Sequence, residues 1–423
     1  MAQRSTPAVP VAARALPSAI RAVAVLVVAL AACGVGVAGA ATPRTSRTLW
    51  VAPANTTKGS AACRTAPYHS IASAIDAAAD GDTVIVCAGI YRGSTTITTG
   101  IPFQPEITTG ADIDKSIVLI GRHGATINAA HLDNGVTFFK ASDAEVEGFS
   151  ISGALGEGVL ALRSTKVTIA DNVVTRNDKG SSSSSWSECE ASGNVPNDCG
   201  EGIHLMSTSL SKVLDNTSEF NAGGILLSDD LGSPTEGNTV SGNLVEDNES
   251  DCGITVVGHS GHAVNAAGHP TPKAGGVFGN TISDNVVISN GTNPASGELG
   301  GGGILFASGT PGGGAYDNSV TGNEIAGNGL SGITVHQHFP LSDLSGDVFS
   351  GNWIGTNDIL GDPGTGDSVT TGVLLDNGGT GKSIKATVTG NTIAWDTYGI
   401  YDDAGGLAQK GNVFLHVTVH VKS

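Results

Sequence analysis

The stretch Val240-Ser-Gly-Asn243-Leu-Val245-Glu-Asp-Asn248-Glu-Ser-Asp-Cys252-Gly253-Ile254-Thr255-Val256 decides the fold. It holds three short β-branched segments separated by tight turns, and no run long enough for a helix. The pair Asn-x4-Asn within it recurs as Asn172/Asn177, Asn216/Asn221, Asn285/Asn290, Asn323/Asn328 and Asn352/Asn357, with a last copy, Asn391/Asp396, ending on aspartate. Three residues before each first Asn stands an apolar residue: Ile169, Val213, Val240, Ile282, Val320, Phe349 or Val388. Two residues after it stands Val174, Ser218, Val245, Val287, Ile325, Ile354 or Ile393, and only Ser218 breaks the rule. A third segment closes each unit, as in Gly202-Ile-His-Leu, Gly224-Ile-Leu-Leu, Gly303-Ile-Leu-Phe, Gly332-Ile-Thr-Val, Gly372-Val-Leu-Leu and Gly399-Ile-Tyr-Asp.

Three strands per unit, repeated, predict an all-β, right-handed three-sided parallel β-helix of about ten or eleven coils. Inward Val and Ile then stack on their equivalents in neighbouring coils. The turn asparagines stack too, their amides bonding along the axis as a ladder. The composition agrees. With 61 glycines, 4% aromatic and 14% charged residues, the 423-residue chain lacks the large groups of a globular core and must pack through many small repeated contacts.

An open sheet end needs a cover. Ile71, Ala74, Ile75 and Ala78 follow helical spacing, and Gly81-Asp82 then turns into the strand Thr83-Val84-Ile85-Val86. The stretch from Tyr68 to Tyr91 resembles the opening of pectin-lyase-like β-helix proteins, including pectinesterase-like and polysaccharide-lyase-like families. The coils from about residue 112 onward resemble the generic parallel β-helix repeats of the same superfamily. This resemblance implies the fold for nearly all of the chain after the leader, and leaves the chemistry open, because the fold carries lyases, hydrolases, esterases, epimerases and inert scaffolds. The expected organisation is a leader over 1–40, a cap and first coil over 48–111, and repeats over 112–423 that are continuous with the cap.

Arg4, Arg14 and Arg21 precede an apolar run, Ala22 to Ala32, which reads as a secretory signal. Leu30-Ala31-Ala32-Cys33 has the form of a lipobox, and Ala38-Gly39-Ala40 that of an ordinary cleavage site. Either way the chain is expected outside the cytoplasm, released or held at the surface by a lipid on Cys33, and otherwise without a membrane partner. Beyond the leader 18 basic residues face 39 acidic ones. So acidic a surface repels phosphate backbones and argues against nucleic acid. An oxidising compartment suits the pairs Cys63/Cys87 and Cys189/Cys199, and Cys252 reads as a small buried thiol. A monomer is expected.

Insertions locate the working face. The turn before the Gly-Ile strand expands at 178–200, 291–302 and 358–371, and the turn after it at 229–237, 259–276, 307–317 and 338–346. Loops on both sides of one strand ladder predict a groove. With the residues one and three after the glycine pointing inward, those two and four after it face the groove. The floor then carries His204 and Tyr401 in one row, and His336, Asp376 and Asp403 in the other, with His338 and Asp402 beside them. A second cluster is Asp229, Asp230 and His259. Neighbouring carboxylates can act as acid and base in glycoside hydrolysis, or hold Ca²⁺. Asp229, Asp230, His259, His336, Asp376 and Asp403 are therefore the candidate catalytic residues. His204, His338, Trp186, Tyr401 and Asp402 are the candidate sugar contacts. Phe339 adds an aromatic at the groove, whereas Trp353 and Trp395 follow turn asparagines and read as structural.

Asp229-Asp230 and Gly258-His259 faintly resemble signatures of polygalacturonase-like hydrolases, but that family's Asn-Thr-Asp and Arg-Ile-Lys elements are missing. No arginine follows Arg176, which speaks against a lyase or epimerase acting on an anionic glycan unless calcium bridges the charges. The expected function is binding of, or action on, an extracellular polysaccharide or cell-wall glycan, by a carboxylate-dependent glycoside hydrolase if catalytic. The alternatives are a non-catalytic surface or adhesion scaffold and a calcium-dependent polysaccharide lyase.

Overall fold

The computed structural model describes residues 45–101, 104–177, 200–260, 275–294, 300–361, 369–381 and 383–423. The leader with Cys33, and Trp186, Cys189 and Cys199, lie outside them. Ser46–Ser423 forms one compact unit. Its short strands assemble into three long sheets of 12, 11 and 12 strands, in which each strand's neighbours come from the preceding and following coils. The first sheet carries the segment before each leading asparagine, the second the segment after it, and the third the Gly-Ile strands. Pairing is parallel and in register throughout the repeats, as in Val240 with Ile282, Val245 with Val287 and Ile254 with Ile304. The inward residues named from the sequence are fully buried on all three faces. Each such Val or Ile contributes about 1.5–3 kcal/mol through burial. Ser218, the polar exception, is buried as well, and donates its hydroxyl to the Gly224 carbonyl at 2.9 Å.

The asparagines form the expected ladders. Asn243 illustrates one rung: its side-chain amide donates to Asn285 Oδ1 at 2.9 Å and to the Val213 carbonyl at 2.9 Å, while its backbone amide donates to the same Asn285 oxygen. One ladder runs from Asn172 to Asn412 and another from Asn177 to Asp396. A third, not anticipated, joins Asn238, Asn280, Asn318 and Asp347 at the corner before the first sheet. The residue preceding most rungs takes left-handed backbone, as at Asp215 (φ 54°), Gly242 (φ 71°) and Asp284 (φ 55°). This turn aims the amide along the axis, and glycine or aspartate adopts it at least cost.

The helix Ile71–Ala77 covers the first coil with Ile71, Ala74 and Ile75, and the Ser70 hydroxyl caps it by accepting the Ser73 amide at 3.2 Å. Cys63 and Cys87 form the expected disulfide. Cys252 is a buried thiol whose sulfur accepts the Gly302 amide at 3.1 Å. No helix among the described residues is long and apolar enough to cross a membrane.

Two features shape the third sheet's outer face. An antiparallel hairpin, Thr95–Ile101 with Gln104–Ile113, opens the sheet. Its Ile97, Ile101 and Ile107 cluster with Leu160, Leu162 and Met206. Those outward rungs are apolar and pack against the hairpin. After the third-sheet strands, the insertions settle into an extra parallel sheet of Thr235–Glu236, Val277–Phe278 and Ala315–Tyr316. Phe278 and Tyr316 stack there at 5.0 Å.

Candidate functional site

The register of the third sheet sets the site. His204 pairs with Leu226, and Leu226 with Thr255; Ser228 pairs with Val257, Ala307 with His336, and His336 with Asp376. The outward rows thus mix polar and apolar side chains from coil to coil. Leu226, Val257 and Ala307 form a small buried apolar cluster with half-buried Leu305. The polar residues flank that cluster along the strand row.

On one flank stands a line of acids and imidazoles. His204 is 3% exposed, beneath the surface rather than lining it. Its Nδ1 lies 2.9 Å from Glu157 Oε1 and its Nε2 2.7 Å from Ser228 Oγ. The Ser228 hydroxyl donates to Asp230, and Asp230 also pairs with His259 Nδ1. Burial alone would raise the Asp230 carboxyl. The charge and hydrogen bond of His259, the charge of His204 and the Ser228 hydroxyl outweigh burial and hold it below the usual carboxylate range. His259 is the imidazole partner of the Asp230 carboxylate. The His259 ring packs onto Gly309, where a Cβ would overlap it, so glycine is required at that position.

Asp229 has a different task. It is fully buried, and its carboxylate accepts the backbone amides of His259 at 2.6 Å, Ser260 at 3.0 Å and Gly276. Burial pushes its carboxyl up against these amide donors. It fixes the loop that presents His259, and does not reach the groove.

On the other flank His336 Nε2 lies 3.2 Å from Asp376 Oδ2, while Asp376 Oδ1 accepts the Gly378 amide at 2.8 Å. The His336 side chain is 30% exposed. His338 meets it edge-on, with ring centroids 4.2 Å apart. Burial, with His336 beside it, holds the His338 imidazole down at about 4. Asp403 is exposed at the row's end.

Asp402 is a correction. It pairs with inward Leu375, is 8% exposed, and its carboxylate accepts the amides of Gly405 at 2.7 Å and Leu407 at 3.3 Å. Three residues after Gly399, it obeys the inward parity of its strand and locks a turn. The Tyr401 ring is half-buried, with the Lys422 ammonium 4.2 Å from its centroid. Trp353 and Trp395 pack together at 6.1 Å, as expected of structural rings.

Glu157 and Glu201 were missed. They share a signal, Glu-Gly followed by a third-sheet strand, at 157–158 and 201–202. Both are 2% exposed. Among the described residues, Glu157, Glu201 and His204 are the one group of three metal-ligating side chains whose ligand atoms lie within 4.8 Å of one another. The groove carboxylates offer no such convergence. Asp229 and Asp402 are taken up by amides, and Asp230 and Asp376 by histidines. They do not suit the six to eight oxygens that calcium demands.

Residues 116–267 match the family model described as a right-handed beta helix region. A pectate lyase structure superposes with a TM-score of 0.51 at 13% identity, covering 87% of this chain and 80% of that one. A hyperthermoactive exopolygalacturonase from Thermotoga maritima gives 0.50 at 12% identity, covering 80% of each chain. The A-module of a mannuronan C-5 epimerase from Azotobacter vinelandii gives 0.49 at 17% identity, covering 84% of this chain and 92% of that one. No curated protein matches the sequence significantly. Repeat, registered sheets and superposition agree: the chain folds as a right-handed parallel β-helix, the fold of these polysaccharide-active structures.

Proposed function

We propose that this chain, exported from the cell, binds an extracellular polysaccharide along the outer face of its third sheet. Where it cleaves that glycan, it does so as a carboxylate-dependent glycoside hydrolase. The supporting observation is the pair of carboxylate–imidazole couples, Asp230–His259 just beyond the third-sheet strands and Asp376–His336 on them. A carboxylate behind an imidazole fixes the ring's tautomer and leaves the other nitrogen to give or take a proton. Asp403 and Phe339 lie at the open part of the row, where a sugar ring has polar and apolar surface to meet.

Uronate chemistry draws less support. No arginine follows Arg176, and the groove carboxylates do not form a calcium cage. A non-catalytic scaffold has one specific point in its favour: Asp229 and Asp402 serve the backbone rather than a ligand.

The test is to incubate the purified protein with neutral and uronic polysaccharides, with and without calcium. New reducing ends without unsaturated sugar are the expected result. An unsaturated product overturns the hydrolase in favour of a lyase, and binding without turnover supports the scaffold.

A further inference from the structure

We infer that the glycan bound by the third-sheet face carries acetyl groups and that Thr255 selects for them, a step that rests on the reading of this face as a glycan site. Thr255 is 6% exposed, and its hydroxyl oxygen is buried without a hydrogen-bond partner. A hydroxyl has one hydrogen to donate and two positions at which to accept, and buried polar groups are almost always paired. Strand parity turns Thr255 outward, because Ile254 and Val256 on either side of it are fully buried core residues. The orphaned hydroxyl therefore belongs to the outer face and not to the core.

Its surroundings define what can pair with it. Leu226 stands beside it in the preceding coil and Leu305 in the following one. Val257, next outward on its own strand, packs with Leu226, Ala307 and half-buried Leu305 in one apolar cluster. One coil beyond Ala307 stands His336, 30% exposed and paired with Asp376. A group that meets the Thr255 hydroxyl needs one polar atom, apolar surface around it, and a shape slim enough to pass Leu305. The face of a sugar ring carries several hydroxyls, most of which would lose their water against aliphatic side chains. A uronate would bring a charge into the apolar cluster. No Lys or Arg stands on the outward rows from Leu226 to Leu374 and from Ser228 to Asp376 to balance it, and the Asp376 carboxylate lies two coils from Ala307. An acetyl group meets each requirement: its carbonyl accepts from Thr255, and its methyl packs on Leu226, Leu305 and Val257. An acetamido group and an acetyl ester share this chemistry. The sugar that bears the group then lies over Leu305, beside His336.

The test is calorimetric binding of the full-length protein to two pairs of probes: oligomers of N-acetylglucosamine and of glucose with the same linkage, and xylan oligomers with and without their O-acetyl esters. In at least one pair the acetylated probe should bind about tenfold or more tighter, and the pair that shows the difference tells amide from ester. Thr255→Val keeps the side-chain shape and removes only the unpaired hydroxyl. It should cut that preference to about twofold or less while the melting temperature holds or rises, and Thr255→Ser should keep the preference. A purely structural hydroxyl predicts the opposite, a lower melting temperature with the preference intact. Equal binding within both pairs overturns the acetyl assignment and leaves the glycan site standing, and a preference that survives in Thr255→Val overturns the role of Thr255. Binding to none of the four probes overturns the acetyl assignment as well, and the glycan site itself then stands or falls with the polysaccharide screen above.

Discussion

Two lines of polar side chains run up this solenoid, and they follow opposite rules. The asparagine ladders at the corners are neutral, buried and repeated coil after coil, each amide satisfied by its neighbours above and below. The line along the third sheet, from Glu157 through His204, Ser228, Asp230 and His259 to His338, His336 and Asp376, is charged, changes residue at every coil, and opens to solvent at His336. The ladder spends its polarity on the backbone. The groove line sets carboxylates against imidazoles and does not repeat from coil to coil, and irregularity on a regular frame is where ligand chemistry resides.

The largest expected effect breaks the groove line. Asp230→Ala leaves His204, Ser228 and His259 facing a gap, and removing one partner of such a buried pair costs about 3–5 kcal/mol. Urea unfolding should show the loss. Breaking a ladder is expected to cost less. Asn285→Ala strips a partner from Asn243 and from the Val240 carbonyl, a loss of about 1–3 kcal/mol by the same measurement.

A gentler change sharpens the contrast between neutral and charged rungs. Asp396 occupies an asparagine position, and burial, with Asp358 nearby, pushes its carboxyl up to about 8. Its value in the unfolded chain is near 3.8, so the folded state holds a proton that the unfolded state releases. That stability is fully present below about pH 4 and is lost as pH rises through 8. Asp396→Asn should therefore melt higher than wild type at pH 8–9 and lose the difference near pH 4. The smallest stability effect is expected at His336→Ala, whose side chain is 30% exposed. Its partner Asp376 keeps the Gly378 amide, and the change should cost about 0–1 kcal/mol while weakening glycan binding or turnover.

The ladders were legible because a five-residue spacing survives any insertion elsewhere in the coil. Even so, the third ladder went unread: Asn238, Asn280 and Asn318 extend the same spacing one step back, but the long loops before them hide the periodicity. On the third sheet, strand parity gives the side of the sheet on which His204, His336 and Asp376 stand. Parity alone cannot tell an outward side chain that meets solvent from one covered by a neighbouring segment. His204 and Met206 are covered, Met206 by a hairpin from far upstream. Asp229 as a catalytic group and Asp402 as a sugar contact follow from position alone, because the sequence does not reveal which backbone amides converge on a carboxylate. Glu157 and Glu201 escaped because glutamate before a strand glycine reads as an ordinary turn residue until two coils stack them.

The most direct test of the central claim, that the third-sheet row is the working site, compares wild type with Asp376→Asn and Asp230→Asn. Both changes keep side-chain shape, and circular dichroism confirms the fold. On whichever polysaccharide the wild type cleaves or binds, the account predicts that turnover falls about 10²–10⁴-fold, or that affinity is lost where the protein only binds. Folded variants that match wild type in both turnover and affinity would contradict it.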